Sequence, residues 1–131
     1  MLNAAQAVEV GAADGVAQNA WLLVVLPALG ALILLAGGRR TNAWGHLLGC
    51  ATVLAAFGYG LALVLQTAGL PAEERVRELH LYDWITTNAL QVDFGLRLDP
   101  LSLTFVLLIT GVGGLIHVYA IGYMSHDADR R

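Results

Sequence analysis

Apolar residues along this chain form three long runs separated by shorter polar segments. No Asp, Glu, Lys or Arg lies within residues 15–38, 41–72 or 100–125. Each stretch exceeds the roughly 20 predominantly apolar residues that a helix needs to cross the hydrocarbon core of a bilayer. The pattern therefore predicts three membrane-spanning helices, at about residues 21–38, 44–67 and 101–124.

A different period appears between the second and third runs. Over residues 90–98 apolar and polar positions alternate strictly, which indicates a half-buried strand. Over residues 79–85 the alternation is less clean, with Leu79, Leu81 and Ile85 as its apolar positions. Residues 86–88 supply turn chemistry between them. We therefore predict an all-α membrane protein whose second and third helices are joined through an extramembrane β-hairpin at about residues 79–98.

The segments outside these elements are interpreted as surface. Residues 1–19 carry acidic residues but no Lys or Arg, unlike a signal peptide, and are expected to be a short N-terminal extension that is poorly ordered or interfacial. The main unit is then the three-helix segment at 20–131. The charged residues of 71–78 are expected to form a surface turn.

On the second helix, small residues at helical spacing predict close packing against neighbouring helices (Gly45 with Gly49, Ala56 with Gly60).

Composition narrows the function classes. Of 131 residues, 57% are hydrophobic and 13% are charged, about half the charged fraction of a soluble domain. The net charge of −3 and the absence of a basic run argue against nucleic-acid binding. The single Cys50 has no partner for an intrachain disulfide. Because metal-ligand spacings, phosphate loops and nucleophile–base arrangements are also missing, we predict no catalytic, cofactor-binding or metal-binding residue.

His117 is the polar group that the pattern places deepest in a span. Thr110, Gly113 and Gly114 fall on the same helical face. One interpretation is a proton path or a water-bonded group, with His117 and Thr110 as its members. The other is a neutral histidine bonded to a hydroxyl or carbonyl on a neighbouring helix. The sequence shows no acidic partner for His117, and this favours the second interpretation.

Arginine placement predicts the orientation of the chain in the cell (plasma) membrane. Arg39 and Arg40 lie on one side, and Arg130 and Arg131 emerge on that side after two further crossings. The long loop carries three arginines that are outweighed by acidic residues. The positive-inside rule therefore places the N-terminus and hairpin outside, and the Arg39–Arg40 turn and the C-terminus in the cytoplasm.

The residues from 92 to 124 resemble a known family. They read Val-Asp-Phe-Gly-Leu-Arg-Leu-Asp-Pro-Leu-Ser-Leu at 92–103, Thr-Gly-Val-Gly at 110–113 and Leu-Ile-His-Val-Tyr at 115–119, followed by Ile-Gly-Tyr-Met at 121–124. This is similar to the N-terminal region of subunit L of NADH:quinone oxidoreductase (complex I), the antiporter-like counterpart of mitochondrial chain 5. The family-motif residues are Asp99, Pro100, Leu101, Ser102, His117 and Tyr119. The start at Asp99 is shared with Mrp-type antiporters, whereas the stretch around His117 favours subunit L.

The resemblance implies a membrane-arm subunit of an enzyme that couples electron transfer from NADH to quinone with proton translocation. Other membrane-arm subunits and the bilayer would be its partners, and NADH, flavin, iron–sulfur clusters and quinone would be bound by other subunits. The family's proton-carrying Glu and Lys residues lie in later segments, and this chain contains no lysine. The segment alone is therefore not expected to be catalytic, and we interpret it as a fragment or a truncated product. The alternatives are part of an Mrp-type cation/proton antiporter and a three-span accessory subunit.

Overall fold

The computed structural model describes residues 10–126, and its main elements are three long helices. They are α1 (Leu22–Gly37), α2 (Gly45–Ala68) and α3 (Pro100–Tyr123). All three are long and apolar enough to cross a membrane, with short 3-10 turns extending the first at both ends. The predicted fold class, three membrane helices with a strand hairpin between the second and third, is confirmed.

The turn between α1 and α2 is short and basic, as expected. α1 is followed by its C-cap residue Gly38, whose φ of 49° lies in the left-handed region that glycine adopts at least cost. A 3-10 turn over Gly38–Thr41 follows, and the Thr41 hydroxyl donates a hydrogen bond to the Gly38 carbonyl at 2.9 Å. Arg39 and Arg40 are exposed there. The turn therefore holds two positive charges at one end of the helix pair.

α2 is the helix against which the other two pack, while α1 and α3 have little direct contact in the described part of the chain. Small residues stand at these contacts. A Cβ added at Gly45 would lie 2.8 Å from Leu34 of α1, and one at Gly60 would lie 3.0 Å from Val106 of α3. The close packing predicted for this helix is thus confirmed at both positions, since a larger side chain would force the helices apart.

The polar segment after α2 contains an antiparallel hairpin of β2 (Arg77–Thr86) and β3 (Gln91–Leu98). Its turn is closed at Thr87, whose backbone N–H donates to the Leu90 carbonyl at 2.9 Å. The Thr87 hydroxyl also accepts from the Leu90 N–H at 3.1 Å. The turn therefore lies where its threonine and asparagine residues predicted it.

The uneven alternation along β2 has a structural cause. The register advances by two residues on β2 and by one on β3 between His80 and Tyr82, and again between Asp83 and Ile85. Each such bulge moves the following side chain to the other face of the sheet. Leu81 and Trp84 are the extra residues at the two bulges, which explains why the alternation along this strand is less clean. The register places Leu79, Tyr82 and Ile85 opposite Leu96, Phe94 and Val92 on one apolar face.

The segment before α1 is part of the fold rather than a separate extension. A short strand, β1 (Gly11–Ala12), pairs parallel with the start of β2, which gives a three-stranded sheet in the order β1-β2-β3. A 3-10 turn over Gly15–Asn19 then leads into α1, and Ala17 and Ala20 are fully buried. Residues 10–19 thus pair and pack with the rest of the fold, in contrast to the poorly ordered extension expected there, and residues 1–9 lie outside the described part.

The best-packed region lies where the helices meet the sheet. Leu63 of α2 is fully buried, and it clusters with Leu98 at the end of β3 and Leu103 in the first turn of α3, together with two buried alanines of the N-terminal segment. Residues from four separated parts of the sequence therefore form one core. This core fixes the sheet to one end of the three-helix unit.

Candidate functional site

The start of α3 carries the first part of the family-like motif. Pro100 occupies the first helical position, where its missing N–H leaves no bond unmade. The Ser102 backbone N–H donates to the Asp99 carboxylate at 2.6 Å, and the Asp99 N–H donates to the Ser102 hydroxyl at 3.0 Å. Asp99 and Ser102 thus form a reciprocal capping box. Their role in the structure is to begin the helix.

The same bonds act on the charge of Asp99. The hydrogen bond from the Ser102 backbone is the main cause that lowers the pKa of this carboxyl group. Burial opposes it, while the Ser102 hydroxyl and the nearby Arg97 guanidinium add to the lowering. Arg97 Nε lies 3.9 Å from the Asp99 carboxylate. Asp99 is therefore held in its ionised form at the end of the span, where a negative charge also suits the helix dipole.

Thr110 and His117, the candidate proton-path residues, both bond within their own helix. The Thr110 hydroxyl donates to the Val106 carbonyl at 2.6 Å. His117 Nδ1 lies 2.7 Å from the Gly113 carbonyl, and because a carbonyl only accepts, Nδ1 must carry the proton. The partner of His117 is thus a carbonyl of α3, and the expectation of a partner on a neighbouring helix was wrong. Its Nε2 remains available as an acceptor when the ring is neutral.

His117 stands beside a groove at the end of the bundle that carries the basic turn. The groove has a volume of about 770 Å³, and its lining includes Arg39, His46 and His117. A Cβ at Gly49 of α2 would lie 3.8 Å from His117 Cδ2, an ordinary van der Waals distance, so the ring packs beside this position of α2. The remainder of the lining is mainly apolar or uncharged, including Leu34. The groove thus presents its positive charge at one end.

The structure separates the motif residues into two groups. Asp99 and Ser102 are at the start of α3, whereas His117 and Tyr119 lie more than four turns later, roughly 22–30 Å along the axis at 1.5 Å per residue. Tyr119 is 69% exposed and stacks on Tyr123, with ring centroids 5.8 Å apart. The motif therefore does not assemble into one catalytic centre. It combines a helix start with a surface-facing stripe.

A buried polar cluster that the sequence did not reveal lies next to the core. Arg77 was expected in a surface turn, but it is 3% exposed and begins β2. Its guanidinium Nη1 donates to the Asp14 carboxylate at 2.8 Å and its Nη2 to the Thr67 hydroxyl at 2.9 Å. We call these three residues the Arg77 cluster. The only hint of this cluster in the sequence was the acidic residue Asp14, which lies 63 positions before Arg77.

The hairpin brings together side chains of metal-ligand type. His80 and Asp83 on β2 and Asp93 on β3 have ligating atoms that all lie within 4.8 Å of one another. All three are exposed. Sequence analysis predicted no metal site, because the spacing along the chain matches none of the common motifs. A cross-strand grouping of this kind becomes visible once the register of the two strands is known.

Comparison with known proteins identifies the family. The family model described as NADH-Ubiquinone oxidoreductase (complex I), chain 5 N-terminus, matches residues 84–131. The NADH-quinone oxidoreductase subunit L of Mycobacterium tuberculosis is 60% identical over 111 residues, which cover 85% of this chain and 18% of that protein. Subunit L of Rhodobacter capsulatus is 38% identical over 106 residues, covering 81% of this chain and 14% of the relative.

More distant relatives agree with this assignment. The NADH-ubiquinone oxidoreductase chain 5 of Aspergillus niger is 28% identical over 108 residues, 80% of this chain and 16% of the relative. The chain thus spans less than a fifth of the length of the curated relatives described here. With three apolar helices, a hairpin between the last two and the Asp-Pro-Leu-Ser start of α3, the chain belongs to the family of NADH-quinone oxidoreductase subunit L and chain 5.

Proposed function

We propose that this chain forms the N-terminal part of the antiporter-like membrane-arm subunit of a proton-pumping NADH:quinone oxidoreductase. The 60% identity to subunit L of Mycobacterium tuberculosis over 85% of the chain carries the proposal. In such a complex, electron transfer from NADH to quinone drives proton translocation. NADH, flavin, iron–sulfur clusters and quinone are then bound by other subunits, and this chain contributes a membrane framework.

Two features of the helices support a framework role. α1, α2 and α3 contain no Asp, Glu, Lys or Arg, the side chains on which proton carriers within membranes commonly depend. The outer faces are strongly apolar: Leu35 is 82% exposed, Ile109 68% and Leu115 71%. Lipid tails and further membrane-arm subunits are the partners that cover such faces. We assign proton transfer itself to segments with ionisable residues elsewhere in the subunit.

The direct test is to follow the activity with this chain. An affinity tag on the chain in its native host is expected to co-purify NADH-oxidising activity and quinone-dependent NADH oxidation from solubilised membranes. Deletion of the gene is expected to abolish quinone-coupled proton uptake into inverted vesicles. Loss of cation/proton exchange in place of NADH-driven pumping would instead assign the chain to an Mrp-type antiporter and contradict the proposal.

His117 is proposed to act as a packing group beside the groove rather than as a proton relay. The bond to the Gly113 carbonyl within α3 supports this role, because it engages Nδ1 with a backbone group that does not titrate. His117→Gln is therefore expected to leave the ratio of protons pumped to NADH oxidised unchanged in vesicles. His46→Gln, at the start of α2, is the matched control. A ratio lowered by His117→Gln alone would assign His117 to a proton path.

We further propose a plasma-membrane location with the hairpin outside and the Arg39–Arg40 turn in the cytoplasm. The parallel pairing of β1 with β2 supports a common side for the N-terminal segment and the hairpin, since two spans separate them. A membrane-impermeant thiol reagent applied to intact cells should label Asn88→Cys in the hairpin turn and spare Arg40→Cys. The reverse labelling would invert the orientation.

A further inference from the structure

Three ligand-type side chains meet on the polar face of the hairpin, away from the membrane helices. His80 Nε2 lies 2.7 Å from the Asp83 carboxylate, and Asp83 is directly opposite Asp93 on the neighbouring strand. The nitrogen and oxygen atoms that could bind a metal are within 4.8 Å of one another. Because the set contains an imidazole and two carboxylates on two strands, it differs from an ordinary patch of acidic residues.

The first β-bulge is what brings this set together. His80 and Asp83 are separated by an odd number of positions, so a regular strand would send them to opposite faces. The extra residue Leu81 shifts the register between His80 and Tyr82, and both side chains then share the face of Asp93. Gly95 stands opposite His80 and adds no side chain beside Asp93. Bulges often aim side chains in this manner at functional positions.

The electrostatics of this face favour a bound cation. Two carboxylates directly opposite each other in an antiparallel pair are destabilising. Asp83 has His80 as its partner, whereas the carboxylate of Asp93 makes no hydrogen bond or ion pair with any other residue of the 10–126 region. The register places Arg97 on the same face, but its guanidinium lies 3.8 Å from Glu78 and 3.9 Å from Asp99. A divalent ion would supply the missing positive charge.

We propose that His80, Asp83 and Asp93 bind one first-row divalent transition-metal ion of the class represented by Zn²⁺. Imidazole favours zinc, copper or nickel over magnesium and calcium, and the two carboxylate oxygens add charge. At bonds of about 2.0–2.2 Å, tetrahedral ligand atoms lie roughly 3.3–3.6 Å apart. His80 and Asp83, now 2.7 Å apart, would therefore separate and exchange their hydrogen bond for bonds to the ion, and side-chain rotation on this exposed surface brings Asp93 into reach. Water completes the coordination. The ion joins β2 to β3 across the bulge and holds the outer half of the hairpin in one register.

The site is tested with Zn²⁺ alone on the full chain in lipid nanodiscs, in a buffer with excess Mg²⁺. We expect one Zn²⁺ per chain by elemental analysis after equilibrium dialysis, and a higher unfolding temperature when it is bound. Asp93→Asn and His80→Gln are each expected to weaken binding at least about tenfold, since even residues that support a metal ligand contribute that much. Glu74→Gln and His46→Gln are the matched controls and should bind as the unaltered chain does.

A second readout separates a lost site from a lost fold. Without metal, Asp93→Asn should unfold at the same temperature as the unaltered chain or a higher one, because the substitution removes a carboxylate repulsion. Its unfolding temperature should not rise with Zn²⁺. Zinc binding that survives both His80→Gln and Asp93→Asn, or an intact unaltered chain that binds no zinc at tens of micromolar, would overturn the proposal.

Discussion

In the Arg77 cluster, we predict that replacing the exposed Asp14 destabilises the fold more than replacing the buried Arg77 does. Asp14→Ala removes the carboxylate 2.8 Å from Nη1 of Arg77 and leaves the guanidinium buried. The side chain of Arg77 is 4% exposed and that of Asp14 is 72% exposed. Arg77 Nε already has no hydrogen-bond partner within the described residues. The substitution therefore leaves a charge in the interior with one bond fewer and no compensating carboxylate.

The size of the effect follows from the exposure of Asp14. A hydrogen bond to a charged group contributes about 1.5–3 kcal/mol, and exposure of one partner moves the value toward the lower end. We therefore expect Asp14→Ala to cost about 1–2 kcal/mol, which increases local opening roughly 5- to 30-fold. Arg77→Met should cost less, under about 1 kcal/mol, because it removes the buried charge itself and leaves Asp14 solvated. Only the Thr67 hydroxyl then loses a hydrogen bond from Arg77.

Hydrogen exchange of the N-terminal strand measures this opening directly. The backbone N–H of Gly11 donates to the Val76 carbonyl at 3.1 Å and that of Ala13 to the Glu78 carbonyl at 3.0 Å, so both amides exchange when β1 detaches. Glu74→Gln, on an exposed turn, serves as the control. If Arg77→Met accelerates exchange more than Asp14→Ala does, attraction within the pair outweighs desolvation, and the reasoning fails.

Two further predictions concern the helices. Gly30→Ala should lower the unfolding temperature in nanodiscs, because the new Cβ would lie 2.6 Å from the Thr52 hydroxyl. Such overpacking costs about 1–3 kcal/mol. Gly58→Ala is the control and should leave the unfolding temperature unchanged, since nothing lies within 4 Å of the added Cβ. Equal effects of the two would contradict the packing described for α1 and α2. Asp99 has a lowered pKa, so its contribution is present above the unfolded pKa of about 3.9 and is lost as pH falls through the folded value. The stability difference between the unaltered chain and Asp99→Asn should accordingly shrink below about pH 4 in pH-dependent unfolding, and a difference that grows there would be inconsistent with this assignment.

The spans and the hairpin were predictable because their signals are local. A charge-free run of adequate length identifies each helix, and strict alternation over residues 90–98 identifies β3. The capping box is equally local, since Asp99 and Ser102 are three positions apart and bond reciprocally. Each of these features depends on neighbours within a few residues. Sequence patterns record such neighbours well.

The remainder depends on contacts between distant parts of the chain. Arg77 lies in a charged stretch that reads as a surface turn, and its burial results from Asp14, 63 positions earlier. The bulges at Leu81 and Trp84 are inserted residues that blur the alternation of β2, so the faces could be assigned only from the pairing with β3. The His80, Asp83 and Asp93 grouping follows from the same register. The sequence placed His117 in the third helix but could not identify its hydrogen-bond partner. A histidine in a helix can bond either to the carbonyl four residues earlier or to a group on a neighbouring helix.

The pairing of β1 with β2 has a consequence for biogenesis. The two strands are separated by both α1 and α2, and they pair at Gly11 with Arg77. When both helices have inserted, the strands emerge on the same side of the bilayer; when either fails to insert, they end on opposite sides and cannot meet. A molecule in which only one of the two helices has inserted therefore cannot form the strand pair or its arginine–aspartate bond. A formed sheet thus reports that α1 and α2 were inserted together rather than singly.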